Sequence, residues 1–119
     1  TDLFPTLCDL AGIQIPDTLD GINLAPTIHN QNIRPREFAL SRFPAGKKMG
    51  YALRYDRYRF VAWFVTGGGG SQLGDQIAAT ELYDYATDPL EQKNLVNDPK
   101  YKTVVAELFS KLYNSIHSF

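Results

Sequence analysis

Two runs dense in aromatic and branched residues, Met49–Tyr55 and Tyr58–Val65, are separated by nothing more than Asp56-Arg57. No other feature of the chain restricts its folding as tightly. Runs of this kind suit a pleated, half-buried surface, and a two-residue gap lets the backbone connect them only by doubling straight back as an antiparallel hairpin. Asp-Arg is not the Asp-Gly that a type I′ turn favours, which leaves the turn type open. A two-residue loop nevertheless sets a register in which Tyr55 faces Tyr58, Leu53 faces Phe60 and Met49 faces Phe64. Side chains alternate with a period of two, so these residues and Tyr51 share one apolar face that must cover a core. Lys48, Gly50, Ala52, Arg54, Arg59, Val61 and Trp63 fall on the other face, where the Trp63 ring can cover the bare backbone of Gly50. Arg54 lies directly opposite Arg59, which is unfavourable without an acid or anion between them; Glu81 or Asp84 on a later strand is the expected acid.

Further elements surround this hairpin. Glu37–Phe43 reads as a strand stopped by Pro44 and Gly46, and Thr80–Tyr85 as another, with the tetraglycine Gly67–Gly70 as a mobile connection and Asp88-Pro89 as a turn. Asp98 caps a helix with Pro99 at its first position, predicted to run to about Asn114. Its stripe of Tyr101, Val104, Val105, Leu108, Leu112 and Tyr113 can lie on the sheet. At the other end, Asp2 precedes Leu3, Phe4, Leu7, Leu10 and Ala11 at helical spacing, and Gly12 is placed to end the helix in a left-handed conformation. So short a helix needs a surface to bury its stripe. From Ile13 to Pro35, prolines, glycine and asparagines are too dense for long elements, yet regularly spaced isoleucines and leucines give an ordered crossing loop its anchors. The expected fold is α+β: a small antiparallel β-sheet packed against a C-terminal helix, preceded by a short helix and a long ordered loop.

Composition limits the chemistry. Apolar residues make up 44% and charged residues 21% of the 119, an ordinary globular balance, and the net charge of −1 argues against a dedicated polyanion binder. No apolar run approaches the ~18 residues of a membrane span. Cys8, the single cysteine, excludes a disulfide framework or cysteine cluster within these residues. It has no adjacent histidine or basic residue to activate it and reads as packing. His29 and His117 lack the spacing of a helical metal pair and read as surface or capping residues. Ser71-Gln72-Leu73 after the glycines is not the Gly-Lys-Ser/Thr of a phosphate loop. The tyrosines between Lys47, Lys48, Arg54, Arg57 and Arg59 point mainly to the core face and cannot stack on bases, so no nucleic-acid partner is expected. Asp84 and Asp88 bracket a turn and read as caps rather than as an acid–base pair. No nucleophile–base–orienter set or metal site is visible, so the sequence reads as a dependent module cut from something larger.

Three segments carry more. The stretch DLFPTLCDLAGIQIPDTLDGINLAP from Asp2 to Pro26, MGYALRYDRYRFVAW from Met49 to Trp63, and ELYDYATDPLEQKNL from Glu81 to Leu95 together resemble the C-terminal part of type I, formylglycine-dependent sulfatases. The Met-Gly-Tyr and Trp63 context is most similar to the iduronate-2-sulfatase branch. The resemblance implies that residues 1–35 are a helix and crossing loop belonging to the large sulfatase domain, and residues 36–119 the C-terminal α+β subdomain. It also implies a parent enzyme that hydrolyses sulfate esters of sulfated glycans, and that is periplasmic, secreted or lysosomal. The N-terminal domain of the same sulfatase would be the partner of this fragment. That domain would hold the calcium ion and the formylglycine, the latter made from a Cys/Ser-X-Pro-X-Arg motif. Cys8 is followed by Asp9-Leu10-Ala11 and cannot be that residue, so the fragment is expected to be inactive alone, with neither cofactor of its own. Ser41-Arg42-Phe43-Pro44 resembles the segment that approaches substrate, which makes Arg42 a candidate partner of a sugar carboxylate or sulfate, with Lys47 and Lys48 as weaker ones. The alternatives are a non-enzymatic glycan- or protein-binding module, and part of a phosphodiesterase or phosphonate hydrolase of the same superfamily.

Overall fold

A computed structural model describes residues 1–66 and 73–118, so the tetraglycine lies outside the described residues. Thr1–Glu37 and Phe38–Phe119 form two separate compact units.

The first unit begins with α1 (Leu3–Leu10). Gly12 adopts a φ of 69° and ends it: Ile13 N–H donates to Cys8 O at 2.8 Å and Gly12 N–H to Asp9 O at 3.0 Å, which satisfies the last carbonyls. Asp2 occupies the N-cap position, but its side chain makes no cap bond. It instead accepts Ile22 N–H at 3.0 Å and both Arg36 Nε and Nη2, at 2.8 and 2.7 Å. Thr6 is the second tie, donating to Asp2 O at 2.6 Å and accepting Leu24 N–H at 2.8 Å. The side chains buried in α1 are therefore Pro5, Thr6 and Cys8, while the stripe of Leu3, Phe4, Leu7 and Leu10 is exposed. The crossing loop is ordered as expected, but it contains a single helical turn, α2 (Ala25–His29), missed because Pro26 counts as a breaker in a linear reading. Pro26 sits in the first turn, where it lacks no needed N–H.

The second unit is a four-stranded antiparallel meander, β1 (Phe38–Ala45), β2 (Lys48–Tyr55), β3 (Tyr58–Thr66) and β4 (Leu73–Asp84), in sequential order. The β2–β3 register pairs Tyr55 with Tyr58, Leu53 with Phe60, Gly50 with Trp63 and Met49 with Phe64, as the hairpin arithmetic requires. Asp56 turns the corner with a φ of 48°. Two strand limits differ from expectation. β1 continues through Pro44, opposite Met49, to Ala45, because it is an edge strand where proline needs no outer partner. A second two-residue loop follows, with Gly46 at a φ of 61° and Lys47 completing it. β4 starts at Leu73 rather than Thr80, following β3 past register shifts beyond Trp63.

Asp98 accepts Lys100 N–H at 3.0 Å and opens a 3₁₀ turn, Pro99–Tyr101, that feeds α3 (Lys102–His117). This helix runs three residues beyond Asn114. His117 closes it, its Nδ1 2.9 Å from Tyr113 O and its ring stacked on Tyr113 at 4.0 Å. Leu108 and Leu112 enter a core with Leu53, Phe60, Phe64, Leu82 and Leu95, while Val104, Val105 and Phe109 seal its margin. Tyr113, assigned to the buried stripe by periodicity, is exposed.

Candidate functional site

Asp84 is the only buried carboxylate among the described residues. It sits at the end of β4 and receives Arg57 from the β2–β3 turn, Nε to Oδ1 at 2.7 Å and Nη2 to Oδ2 at 2.5 Å. Ala86 N–H adds a bond at 3.1 Å and Tyr101 O–H a longer one at 3.4 Å. Arg57 chiefly holds the Asp84 carboxyl below its ordinary range, and Asp84 in turn raises the guanidinium. Both oxygens are engaged by structural donors, so this group joins a turn, a strand end and a helix start. Asp88 is likewise structural: it ties the loop after β4 by accepting Lys93 N–H at 2.9 Å, and backbone donors from Gln92 and Lys93 depress its carboxyl.

Neither Glu81 nor Asp84 separates the opposed arginines. Arg59 pairs with Glu91, Nη2 donating to Oε2 at 2.7 Å, while Nε lies 2.6 Å from Oε1, close but off the line of a hydrogen bond. Arg54 turns away, stacks 4.2 Å from the Tyr85 ring centre and donates to Asp56 O at 2.5 Å and Tyr58 O at 3.0 Å. Tyr85 O–H also donates to Glu91, which together with burial raises the phenol above its usual range. Glu91 reaches this place from the loop after β4 with a φ of 53°, a left-handed conformation that no spacing rule reveals for glutamate.

On the sheet face opposite α3 lies a shallow cavity of about 200 Å³. Gly50, Ala52 and Val61 line it together with Ser41, Phe43, Arg59, Trp63 and Glu81. The indole lies on Gly50 so closely that an added Cβ would meet ring carbons at 2.7 Å. Trp63 Nε1–H donates to Glu81 Oε1 at 2.8 Å and Tyr83 O–H to Oε2 at 2.9 Å. Burial, then the Glu81 bond, push the Tyr83 phenol up.

Arg42, Lys47 and Lys48 are carried by one hairpin, β1–β2, and all three are exposed. They are not gathered into one grip. Arg42 is paired across with Tyr51 and so shares the face that carries α3, its guanidinium 6.0 Å from the Tyr51 ring centre and its Nε 3.2 Å from Met49 Sδ. Lys47 occupies the turn, and Lys48 falls on the opposite face. None of the three forms an ion pair among the described residues, so each keeps its charge available. Also among the described residues, no group of three histidine, cysteine or carboxylate side chains could hold a metal ion. Cys8 is buried in the first unit, and His29 is exposed.

The second unit is thus a meander sheet backed by one helix, with a cationic hairpin at one end and no assembled reaction centre among the described residues. Residues 1–118 match the family described as N-sulphoglucosamine sulphohydrolase, C-terminal, and the chain belongs to that family. It is 37% identical over 111 residues to a Delta 4,5-hexuronate-2-O-sulfatase of Bacteroides thetaiotaomicron, an alignment that covers 89% of this chain and 21% of that protein. The structure of a presumed sulfatase from the same organism superposes with a TM-score of 0.71 at 34% identity, over 98% of this chain and 24% of the other. The phosphonate monoester hydrolase of Agrobacterium radiobacter superposes with a TM-score of 0.60 at 27% identity, over 95% and 23%. The chain thus spans between a fifth and a quarter of the length of these relatives.

Proposed function

We propose that this chain is the C-terminal subdomain of an enzyme that hydrolyses sulfate monoesters on glycans, with a 2-O-sulfated hexuronate as the preferred class of substrate, in the manner of an iduronate-2-sulfatase. The observation that carries the reading is the family match along nearly the whole chain. The named activity of the 37% identical relative supports the choice of hexuronate. In this reading the polypeptide preceding Thr1 contains the formylglycine and the calcium ion that supply the sulfate-transfer chemistry. The described residues here offer neither a metal cluster nor a modified cysteine. Their part is to hold the fold and shape the pocket rim. The setting that suits such a parent is periplasmic, secreted or lysosomal.

Arg42 is the rim residue best suited to substrate. Its exposed guanidinium has no acid partner among the described residues, and its planar fork matches a carboxylate or a sulfate in two parallel bonds. Lys47 and Lys48 are point charges on flexible stems, better able to attract an anion than to orient it. The test is an assay of the protein encoded by the full gene on an unsaturated hexuronate 2-O-sulfate disaccharide, an aryl sulfate and a phosphonate monoester. Release of sulfate from the disaccharide is expected. Arg42→Ala should raise KM at least fivefold with kcat little changed, the signature of lost binding common to ground and transition states. An unchanged KM would assign Arg42 to the bare surface.

The likeness to a phosphonate monoester hydrolase favours one rival reading. Turnover of the phosphonate with no release of sulfate would select it.

A further inference from the structure

Met49 and Tyr51 hold Arg42 from the neighbouring strand. The pairing of β1 with β2 sets Tyr51 directly across from Arg42, and Met49 one step along the same face, opposite Pro44. Met49 is 5% exposed and in register with Phe64, whose ring meets that of Tyr51 edge to face with centres 6.0 Å apart. Both groups are therefore fixed by the core, whereas Arg42 itself is exposed. The contact differs in kind from those of the other arginines. Arg36, Arg57 and Arg59 give donors to carboxylates, which neutralise them, and Arg54 gives a terminal nitrogen to two backbone carbonyls. Arg42 gives its Nε–H to a thioether, a weak and uncharged acceptor, and its two terminal NH2 groups have no partner among the described residues. A guanidinium can grip a two-oxygen anion along its side, through Nε and one terminal nitrogen, or end-on through both terminal nitrogens. With Nε taken, the end-on edge remains, and the positive charge is undiminished.

We infer that Met49 is the positioning residue for Arg42: its sulfur holds Nε so that the edge formed by Nη1 and Nη2 is presented, oriented in advance, to a carboxylate or sulfate. The anion is the substrate group proposed for Arg42, and in that respect the role depends on the sulfatase reading. The energetic basis is rotational freedom. A long exposed arginine loses much of it on binding, and an anchor at Nε removes part of that loss beforehand. Because the anchor is sulfur and not a carboxylate, it orients the fork without competing for its charge.

Met49→Leu, close in volume but without the acceptor, tests this in the full-length protein. On the unsaturated hexuronate 2-O-sulfate disaccharide it should raise KM about threefold with kcat little changed, through lost preorganisation of the fork. In an Arg42→Ala background the same substitution should change KM no further. A rise in KM that persists without the Arg42 side chain would make Met49 a packing residue only and overturn the inference, as would an unchanged KM in the single variant. A second measurement needs no turnover. In protein carrying isotope-labelled arginine, with NMR resonances assigned by arginine-to-lysine substitution, the Nε–H of Arg42 is compared with that of Arg34, which is exposed and makes no hydrogen bond among the described residues. Arg42 Nε–H should exchange with water about fivefold more slowly, and Met49→Leu should abolish the difference. Equal exchange in the parent protein would overturn the anchoring, and this comparison decides alone if Met49→Leu does not fold. Slow exchange with no sulfate released refutes the enzyme reading and leaves the anchor standing, whereas sulfate release with fast exchange refutes the anchor alone.

Discussion

Gly50→Ala is a severe test of the packing described for the outer face. The new Cβ would lie 2.7 Å from Cζ3 of Trp63 and 2.9 Å from Cε3 and Cη2. Carbon atoms settle at ~3.5–4.0 Å, so the ring must retreat by about 1 Å. A retreat of that size carries Nε1 from its 2.8 Å contact with Glu81 to beyond the ~3.5 Å at which a hydrogen bond is lost. Overpacking costs ~1–3 kcal/mol and the lost bond about 1 kcal/mol. Replacing glycine in a strand returns ~0.5–1 kcal/mol. The net is a destabilisation of about 2 kcal/mol, a fall in Tm of roughly 8 °C for a chain of this size. Thermal unfolding of the 119-residue chain, followed by circular dichroism and by the emission of Trp63, its one tryptophan, measures both parts. Trp63→Leu removes the clashing ring, so a double-mutant cycle should return a coupling of about 1–2 kcal/mol. A Gly50→Ala variant that melts within 2 °C of the parent with unshifted emission, or a cycle with no coupling, would refute the account.

Asp84 makes the second unit sensitive to acid. Its carboxyl is depressed from 3.8 by Arg57, so its stabilisation is complete above that value and drains away as pH falls through the folded one; Asp84→Asn should be less stable at pH 7, with a flatter stability profile between pH 5 and pH 2 in urea titrations. In the first unit, the Asp2 carboxyl is lowered to about 2 by the Arg36 and Ile22 bonds, so Arg36→Ala should raise its NMR titration midpoint toward 3.8. Leu108→Ala empties a position 1% exposed at the centre of the core and should cost ~2–5 kcal/mol in denaturant unfolding, against a change near zero for the exposed Ala106→Ser. Glu91→Gln removes the counter-charge of Arg59 and should make stability rise with added salt, as screening relieves the opposed arginines.

Much of the sheet was legible because it follows from local rules. A two-residue loop and alternation of side chains fix the β2–β3 register and the stacking of Trp63 on Gly50, while Gly12 marks a helix end by its backbone freedom and Asp98 a helix start by its side-chain cap. What escaped depends on position in three dimensions. Pro44 stops a strand only where its missing N–H would be needed, and the edge location of β1 is set by the order of the whole sheet. The outward face of α1 arises because Asp2 and Thr6 bind the crossing loop on the inner side, a competition between polar ties and an apolar stripe that periodicity cannot weigh. For the site, the exposure of Arg42 and its lack of an acid partner among the described residues depend on the packing around β1 and cannot be read from its motif. The parting of Lys48 from it follows from strand parity once β1 and β2 are known to pair, and that of Lys47 from its place in the turn between them. Glu91 was overlooked as the partner of Arg59 because it comes from a loop, not from the neighbouring strand.

That origin of Glu91 also bears on how the domain assembles. The β2–β3 ribbon pairs Arg54 directly with Arg59, two like charges that disfavour that step unless each finds another partner. The carboxylate that answers Arg59 lies beyond β4, in the loop that follows it. The central ribbon therefore depends on its neighbours for its full stability, and a chain truncated before residue 91 would leave Arg59 without its carboxylate opposite Arg54.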